Sequence, residues 1–384
     1  MYAQPVLKRV VIANYKSIAF CDVTLGPLTF LVGLNGSGKS NFIDALRFVR
    51  DALKGSLDHA FAVRRANLQS ISRHPASDLG FGMRLDLDVN MYGASHYAFW
   101  IAPEQRGVPG THEECRVGSD FFSTSIRSDI LPPPPRTGRL YLGNLGGAFD
   151  AVHETLTSME FYSPEPQSIK NELYASGSEF LESDGRNVAS IFDQIDQEDK
   201  TRILEYMSRI MPGLTGIRTQ TVEAFKILRF EQARPSNGGS EFSASRMSDG
   251  TLRALTILTA IFQKKPGPNL RPSLIAIEEP ETSLHPAAMA LLFDGLKEGA
   301  HRLQLVATSH SADLIDNAEL ESDSILAVDN SSGTTHIAPI DEVSRSILKD
   351  RLRTPGELLR MDQLRPDESS AIPASVESVL FEGP

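Results

Sequence analysis

Residues Gly33-Leu34-Asn35-Gly36-Ser37-Gly38-Lys39-Ser40 satisfy the spacing G-x-x-x-x-G-K-[ST]. Glycines at these places let a chain fold back so that successive N–H groups point inward, which suits a phosphate. A helix starting there adds the positive end of its dipole. Lys39 supplies a mobile ammonium for β- and γ-phosphates, and Ser40 a hydroxyl ligand for Mg2+. Asn35, Gly36, Ser37, Gly38 and Asn41 are the remaining candidates for the cradle. A second group lies far along the chain. Leu274-Ile275-Ala276-Ile277-Glu278-Glu279 is an apolar run ending in two carboxylates. Neighbouring residues on a strand point to opposite sides, so one acid can serve a metal and the other a water. Pro280-Glu281-Thr282-Ser283-Leu284-His285-Pro286 follows. Its prolines bracket a fixed loop and start the next helix. His285 reads as a packing or capping residue, since no second ligand type sits at metal spacing beside it.

These groups need elements to hold them. Val6–Ile12 and Leu28–Val32 read as strands, and the second runs directly into the glycine-rich turn. Phe42, Leu46 and Val49 share one helical face within 41–49. Residues 80–89 alternate as Phe81, Met83, Leu85, Leu87 and Val89, a half-buried strand that 97–101 can pair with. The middle is less regular. Leu131-Pro132-Pro133-Pro134-Pro135 predicts an extended surface connection. Residues 187–195 and 199–211 read as helices, 224–230 as a strand, and Ser236-Asn237-Gly238-Gly239 as a hairpin turn. The last third alternates: helix 251–262, strand 274–277, helix 287–297, strand 303–307, strand 324–328. Strands separated by helices predict parallel βαβ units. The stretch after about Pro366 reads as a frayed polar tail.

Composition narrows the class. At 384 residues the chain has room for two or three structural units. With 38 basic and 49 acidic residues its net charge is −11, which excludes a uniformly basic nucleic-acid binder but not a local basic patch. Cys21 and Cys115 are too few for a disulfide scaffold or a four-ligand zinc site, so a reducing cytoplasm is expected. The longest apolar stretches, such as 255–262, fall far short of the roughly 20 residues of a membrane span. No signal peptide is read at the N-terminus.

Two more segments give the pattern a family likeness. Met247-Ser248-Asp249-Gly250-Thr251 heads an apolar helix, and Thr308-Ser309-His310-Ser311 follows the 303–307 strand. Together with the phosphate loop and the acidic strand, they resemble ABC-type ATPases of the RecF/SMC-like branch, over about Leu7 to Asp316. There the first is the signature motif and the second the switch-histidine loop. Ile12-Ala13-Asn14-Tyr15-Lys16-Ser17 is similar to that branch's first strand and turn. Glu278–Glu281 and Leu284–Pro286 resemble the ATPase half of OLD (overcoming lysogenization defect) nucleases.

The resemblance implies an α/β P-loop NTPase: an ABC-type head with a mixed β-sheet, an antiparallel β subdomain and an inserted α-helical lobe. Its parts would be an N-terminal core at 1–106, the lobe at 107–240, a C-terminal core at 241–340 and a helix with polar tail at 341–384. It implies ATP and Mg2+ as ligands and a homodimer closed head to tail through the nucleotide. In that dimer Ser248, Asp249 and Gly250 of one copy meet the γ-phosphate held by the other. Lys39 and Ser40 would hold phosphates and Mg2+, Glu278 would take the metal side, Glu279 would polarise the attacking water, and His310 would sense the γ-phosphate. The family usually carries Asp at the position of Glu278. The extra methylene shifts metal binding toward a bridging water and leaves the base open among Glu278, Glu279 and Glu281. The family's glutamine loop is not placed, and Gln69 reads as a surface residue. No heptad arm is present, and no D-x-D pair follows His310, so a fused Toprim nuclease domain is not expected.

The analogy points to action on DNA, in repair or anti-phage defence, with a separately encoded nuclease or effector as partner and no membrane. Arg64, Arg65, Arg73 and His74 are the local basic cluster for such contact. The alternative is a nucleotide-switched regulatory module that docks a protein on the middle lobe, about Gly107–Gln232, without touching DNA. A transporter ATPase subunit fits less well, because the S-D-G-T signature and the Asn14–Ser17 opening belong to the soluble branch.

Overall fold

The apolar runs at the start of the chain form strands β1 (Leu7–Tyr15), β2 (Ile18–Thr24) and β3 (Leu28–Val32). β3 leads through the glycine-rich turn into helix α1 (Lys39–Lys54). Short helices α2 (Leu57–Val63) and α3 (Leu68–Ile71) follow. Then come strands β4 (Phe81–Val89), β5 (Gly93–Gln105), β6 (Val108–Val117) and β7 (Asp120–Ser123), and helix α4 (Phe149–Thr157). This computed structural model describes residues 6–73, 80–89, 91–105, 108–124, 138–171, 178–223, 225–233, 240–264, 271–316, 322–367 and 375–382. The proline run, the 236–239 turn and His74 lie outside these residues.

β4 pairs antiparallel with β5, with Phe81 opposite Ile101 and Leu85 opposite Tyr97, as the alternation implies. Sequence reading placed no strand at β6 or β7. β6 carries Glu113 and Glu114 side by side, both buried, so the apolar alternation that marks a strand is missing. The Glu113 carboxylate accepts the backbone N–H of Tyr141 at 2.8 Å and the hydroxyl of Tyr97 at 2.9 Å. Burial pushes its pKa up to about 7 even against these bonds.

Residues 160–320 form one compact unit. Strand β8 (Glu160–Tyr162) is followed by helices α5 (Pro166–Lys170), α6 (Val188–Gln194) and α7 (Gln197–Ile210). Strands β9 (Leu214–Val222), β10 (Phe225–Gln232) and β11 (Ser240–Ser243) make a small antiparallel sheet in the order β11-β10-β9. Helix α8 (Asp249–Phe262), strand β12 (Leu274–Glu278), helix α9 (Pro286–Gly299), strand β13 (Gln304–Ser309) and helix α10 (Ala312–Ile315) complete the unit. β8, β12 and β13 run parallel, with α9 as the crossover between the last two. α8 is mostly apolar and buried along nearly its whole length. α9 starts at Pro286 and is capped by His285, whose ring nitrogen accepts the Ala287 N–H at 3.4 Å.

The other unit combines residues 4–159 and 321–384. Its late elements are strands β14 (Ile325–Ser331) and β15 (Thr334–Pro339) and helices α11 (Glu342–Lys349), α12 (Pro355–Arg360) and α13 (Glu377–Leu380). Its strands run in the order β7-β6-β5-β4-β1-β2-β15-β14-β3. The β15–β2 and β14–β3 pairs are parallel and the others antiparallel, so the sheet is mixed. Tyr15, Phe48 and Phe81 meet edge to face at its centre, Tyr15 and Phe48 each 5.3 Å from Phe81. The expected frayed tail is corrected over 375–382. Leu380 is fully buried against Val11 and Ala13, Phe381 stacks on His112, and Glu382 pairs with Arg84 at 2.6 Å.

Candidate functional site

The turn between β3 and α1 requires its glycines. Gly36 (φ 78°) and Gly38 (φ 105°) lie in the left-handed region that side chains avoid. A Cβ on Gly33 would sit 2.0 Å from the carbonyl oxygen of Val328, and one on Gly38 2.0 Å from Thr335 Oγ1. No side chain caps α1, so the positive end of its dipole faces the turn without a side-chain acceptor in between. Lys39 is buried and arches back over the turn, its Nζ 2.8 Å from the Gly33 carbonyl and 2.9 Å from that of Leu34. Ser37 Oγ is buried with no hydrogen-bond partner among the described residues. Asn35, Gly36 and Ser40 are exposed. The Asn41 amide donates to Ser17 Oγ at 2.6 Å.

α1 is tied down by Asp44, which accepts the Tyr15 hydroxyl (2.7 Å), Lys16 Nζ (2.6 Å) and Arg64 Nε (2.9 Å). Burial opposes the charge on Asp44, but Arg64, Lys16 and Tyr15 outweigh it and hold its pKa below the usual carboxylate value. This alters the basic cluster expected from the sequence. Arg64 is nearly buried and paired with Asp44 and Asp51. Arg73 donates to the Ser17 carbonyl at 2.7 Å and to Thr334 Oγ1 at 2.5 Å. Arg65 and Gln69 are exposed.

In the 160–320 unit the acidic strand end and the histidine loop come together. Glu279 sits just past β12 at φ 45°, unusual for a residue with a side chain. Its N–H donates to Thr308 Oγ1 at 3.1 Å, and its carbonyl accepts Arg253 Nη2 from α8 at 3.2 Å. Its carboxylate lies 3.3 Å from His310 Nδ1, with both side chains more than a third exposed. Glu281 differs. It is buried, and its Oε1 accepts the Ser309 hydroxyl at 2.6 Å and the His310 N–H at 3.3 Å. Its Oε2 is buried with no hydrogen-bond partner among the described residues.

Ser248 caps α8, its Oγ 3.2 Å from the Thr251 N–H. Asp249 pairs with Lys170 at 2.6 Å. Ser248 and Asp249 are exposed, while Gly250 packs so tightly that a Cβ would lie 2.2 Å from the Ser283 carbonyl. The corner therefore has a surface to offer.

A family model described as "AAA domain, putative AbiEii toxin, Type IV TA system" matches residues 28–86 and 127–316, more than half of the chain. The chain belongs to this family of P-loop ATPases. Among solved structures the AAA-domain chain is similar to the SMC head bound to the C-winged helix domain of ScpA: TM-score 0.57 at 14% identity, over 89% of this chain and 100% of that one. It is similar also to the Smc head with an extended coiled coil bound to the C-terminal domain of ScpA, derived from Pyrococcus furiosus: TM-score 0.55 at 13% identity, over 91% and 100%. At such identities the likeness is one of fold, that of the ABC-type RecF/SMC-like ATPases. No curated protein sequence matches the chain.

In this AAA-domain chain, sequence reasoning missed the residues that hold the site rather than those proposed to use it. Thr308 and Arg253 fix the Glu279 backbone, and Ser309 meets Glu281. Thr308 and Ser309 adjoin His310 in the sequence, which is a signal of position but not of role. Arg253 carries none beyond being a cation within an apolar helix. Among the described residues no helix is long and apolar enough to cross a membrane.

Proposed function

We propose that this protein binds Mg2+·ATP and hydrolyses it within a head-to-tail pair of its own copies. The phosphate loop of one copy faces the Ser248–Gly250 corner of the other. The observation that carries this reading is the loop itself: two left-handed glycines, an uncapped helix start and a lysine folded across its carbonyls. That arrangement suits the phosphates of a nucleotide. Ser40 and Glu278 offer hard oxygen donors of the kind Mg2+ prefers, Glu278 through water, and the metal would neutralise charge developing on the phosphates. Glu279 takes a proton from water as its oxygen bonds to the γ-phosphorus. The bridging oxygen leaves on ADP, and His310, beside Glu279, senses the phosphate. Ser248 and the backbone N–H of Gly250, with Asp249 between them, form the second anion site at the start of α8, which ATP closes and hydrolysis releases.

Lys39→Ala tests the reading: the variant loses nucleotide binding in a fluorescent-nucleotide titration, and retained micromolar affinity refutes it. The output we propose is control of action on DNA, in repair or anti-phage defence, with a separate nuclease or effector as partner. The free, buried Cys21 and Cys115 support a cytoplasmic setting. One observation favours the second reading, a protein-docking switch without DNA contact: Arg64 and Arg73 are committed to internal partners. ATPase stimulation by duplex DNA with a steep salt dependence supports the first, and stimulation only by a co-purified protein supports the second.

A further inference from the structure

Beneath the phosphate loop lies a chain of polar groups that crosses three distant parts of the sequence. Thr335, at the start of β15, is fully buried, and its hydroxyl donates to the Ser37 carbonyl at 2.9 Å. Its Oγ1 lies 2.7 Å from Ser17 Oγ, which accepts the Asn41 amide at 2.6 Å. The ends set the direction. An amide N–H only donates and a carbonyl only accepts. The protons therefore run from Asn41 to Ser17, from Ser17 to Thr335, and from Thr335 to Ser37. Asn41 and Ser37 flank Gly38, Lys39 and Ser40, so the chain clamps both ends of the segment that bears the lysine and the hydroxyl.

The clamp is itself held. The Ser17 carbonyl accepts the Thr335 N–H at 2.9 Å and Arg73 Nη1 at 2.7 Å. Lys16, just before Ser17, takes a left-handed φ of 49°, which turns the chain so that Ser17 reaches β15. Thr335 also presses on Gly38, where no Cβ fits. In a trans peptide the carbonyl and the following N–H point in opposite directions. Anchoring the Ser37 carbonyl on Thr335 therefore aims the Gly38 N–H away from β15.

We propose that Ser17 and Thr335 are positioning residues for the nucleotide: their hydroxyl chain fixes the Ser37–Gly38 peptide so that the Gly38 N–H is presented to the phosphates shared by ADP and ATP. This rests on the nucleotide-binding reading above. The test is titration of wild type, Thr335→Val, Thr335→Ser and Ser17→Ala with fluorescent Mg2+·ADP and Mg2+·ATP, beside steady-state kinetics and thermal melting.

Thr335→Val keeps the shape and removes the hydroxyl. It weakens both nucleotides about tenfold, the scale of one net hydrogen bond. The loss falls on KM rather than kcat, and Thr335→Ser restores binding. Ser17→Ala, which breaks the chain at a half-buried residue, gives the same pattern and decides the matter if Thr335→Val does not fold. Wild-type affinity in both Thr335→Val and Ser17→Ala overturns the proposal. So does a Thr335→Ser as weak as Thr335→Val, because shape alone then accounts for the effect. If the wild type binds neither nucleotide, the underlying reading fails first, and that is visible before any variant is compared.

Discussion

Glu279 and Glu281 compete for the role of base, and their surroundings predict opposite outcomes for one substitution. Glu279 is bonded to Thr308 and Arg253 through its main chain, so Glu279→Gln leaves those bonds intact. Only the half-exposed carboxylate beside His310 changes. Loss of a general base costs about 10²- to 10⁴-fold in turnover. ATP affinity is kept, because no phosphate-binding group is touched, and the closed dimer accumulates in ATP. Glu281→Gln keeps an acceptor for the Ser309 hydroxyl and the His310 N–H. It exchanges charge-assisted bonds for neutral ones, about 1 kcal/mol. Transmitted in full to the transition state, that lowers turnover by no more than about tenfold. Phosphate release at saturating Mg2+·ATP, with size-exclusion chromatography in ATP, reads both. Normal turnover in Glu279→Gln beside a dead Glu281→Gln refutes the assignment.

Glu113 predicts a pH dependence of stability. Its carboxyl is pushed up to about 7 from an ordinary 4.5, so between those values the folded state holds a proton that the unfolded state has released. Stability therefore falls as pH rises through this window, by about 3 kcal/mol, and stays lower above it. Glu113→Gln, a neutral mimic of the protonated form, removes that share of the slope; urea unfolding at pH 5 and pH 8 measures the difference, and parallel profiles for the two proteins contradict it. Arg64→Ala removes one partner from each of Asp44 and Asp51, while Lys16 and Tyr15 still reach Asp44 and Arg50 still reaches Asp51; it costs about 1.5–3 kcal/mol in urea unfolding, whereas Arg65→Ala on the surface stays within about 0.5. Equal costs would return Arg64 to a surface role. Leu380→Ala loosens the docked tail, and the amides of Phe381 and Glu382 exchange about 30-fold faster or more; unchanged exchange shows that the tail does not depend on that contact.

The difference between what could and could not be read from the sequence follows the physics of each residue. A phosphate demands glycines, a lysine and a hydroxyl at fixed spacing, so 33–40 is legible without any fold. The parallel β12–α9–β13 unit was legible because a strand buried on both faces becomes a continuous apolar run. β6 was not: burial of Glu113 and Glu114 is stabilised by partners such as Tyr141, which lies 28 residues on, and no local pattern shows it. The docked tail escaped for the same reason, since Leu380 finds its apolar surface on β1, at the far end of the chain.

Thr335 marks the limit most sharply. It bonds to Ser37 across 298 residues, and a threonine in a strand is ordinary. Yet its place is foreshadowed at Gly38. A left-handed φ alone explains a glycine, but Gly38 also has a neighbour where its Cβ would stand, and something had to be that neighbour. Groups that meet the phosphate are dictated by its charge and shape and so keep their type and spacing. Groups that hold them need only reach, and any strand the fold brings within about 3 Å can supply a hydroxyl. The sequence of a protein of this kind therefore reveals its contacts before its supports, and the supports become legible only where a glycine records the space they occupy.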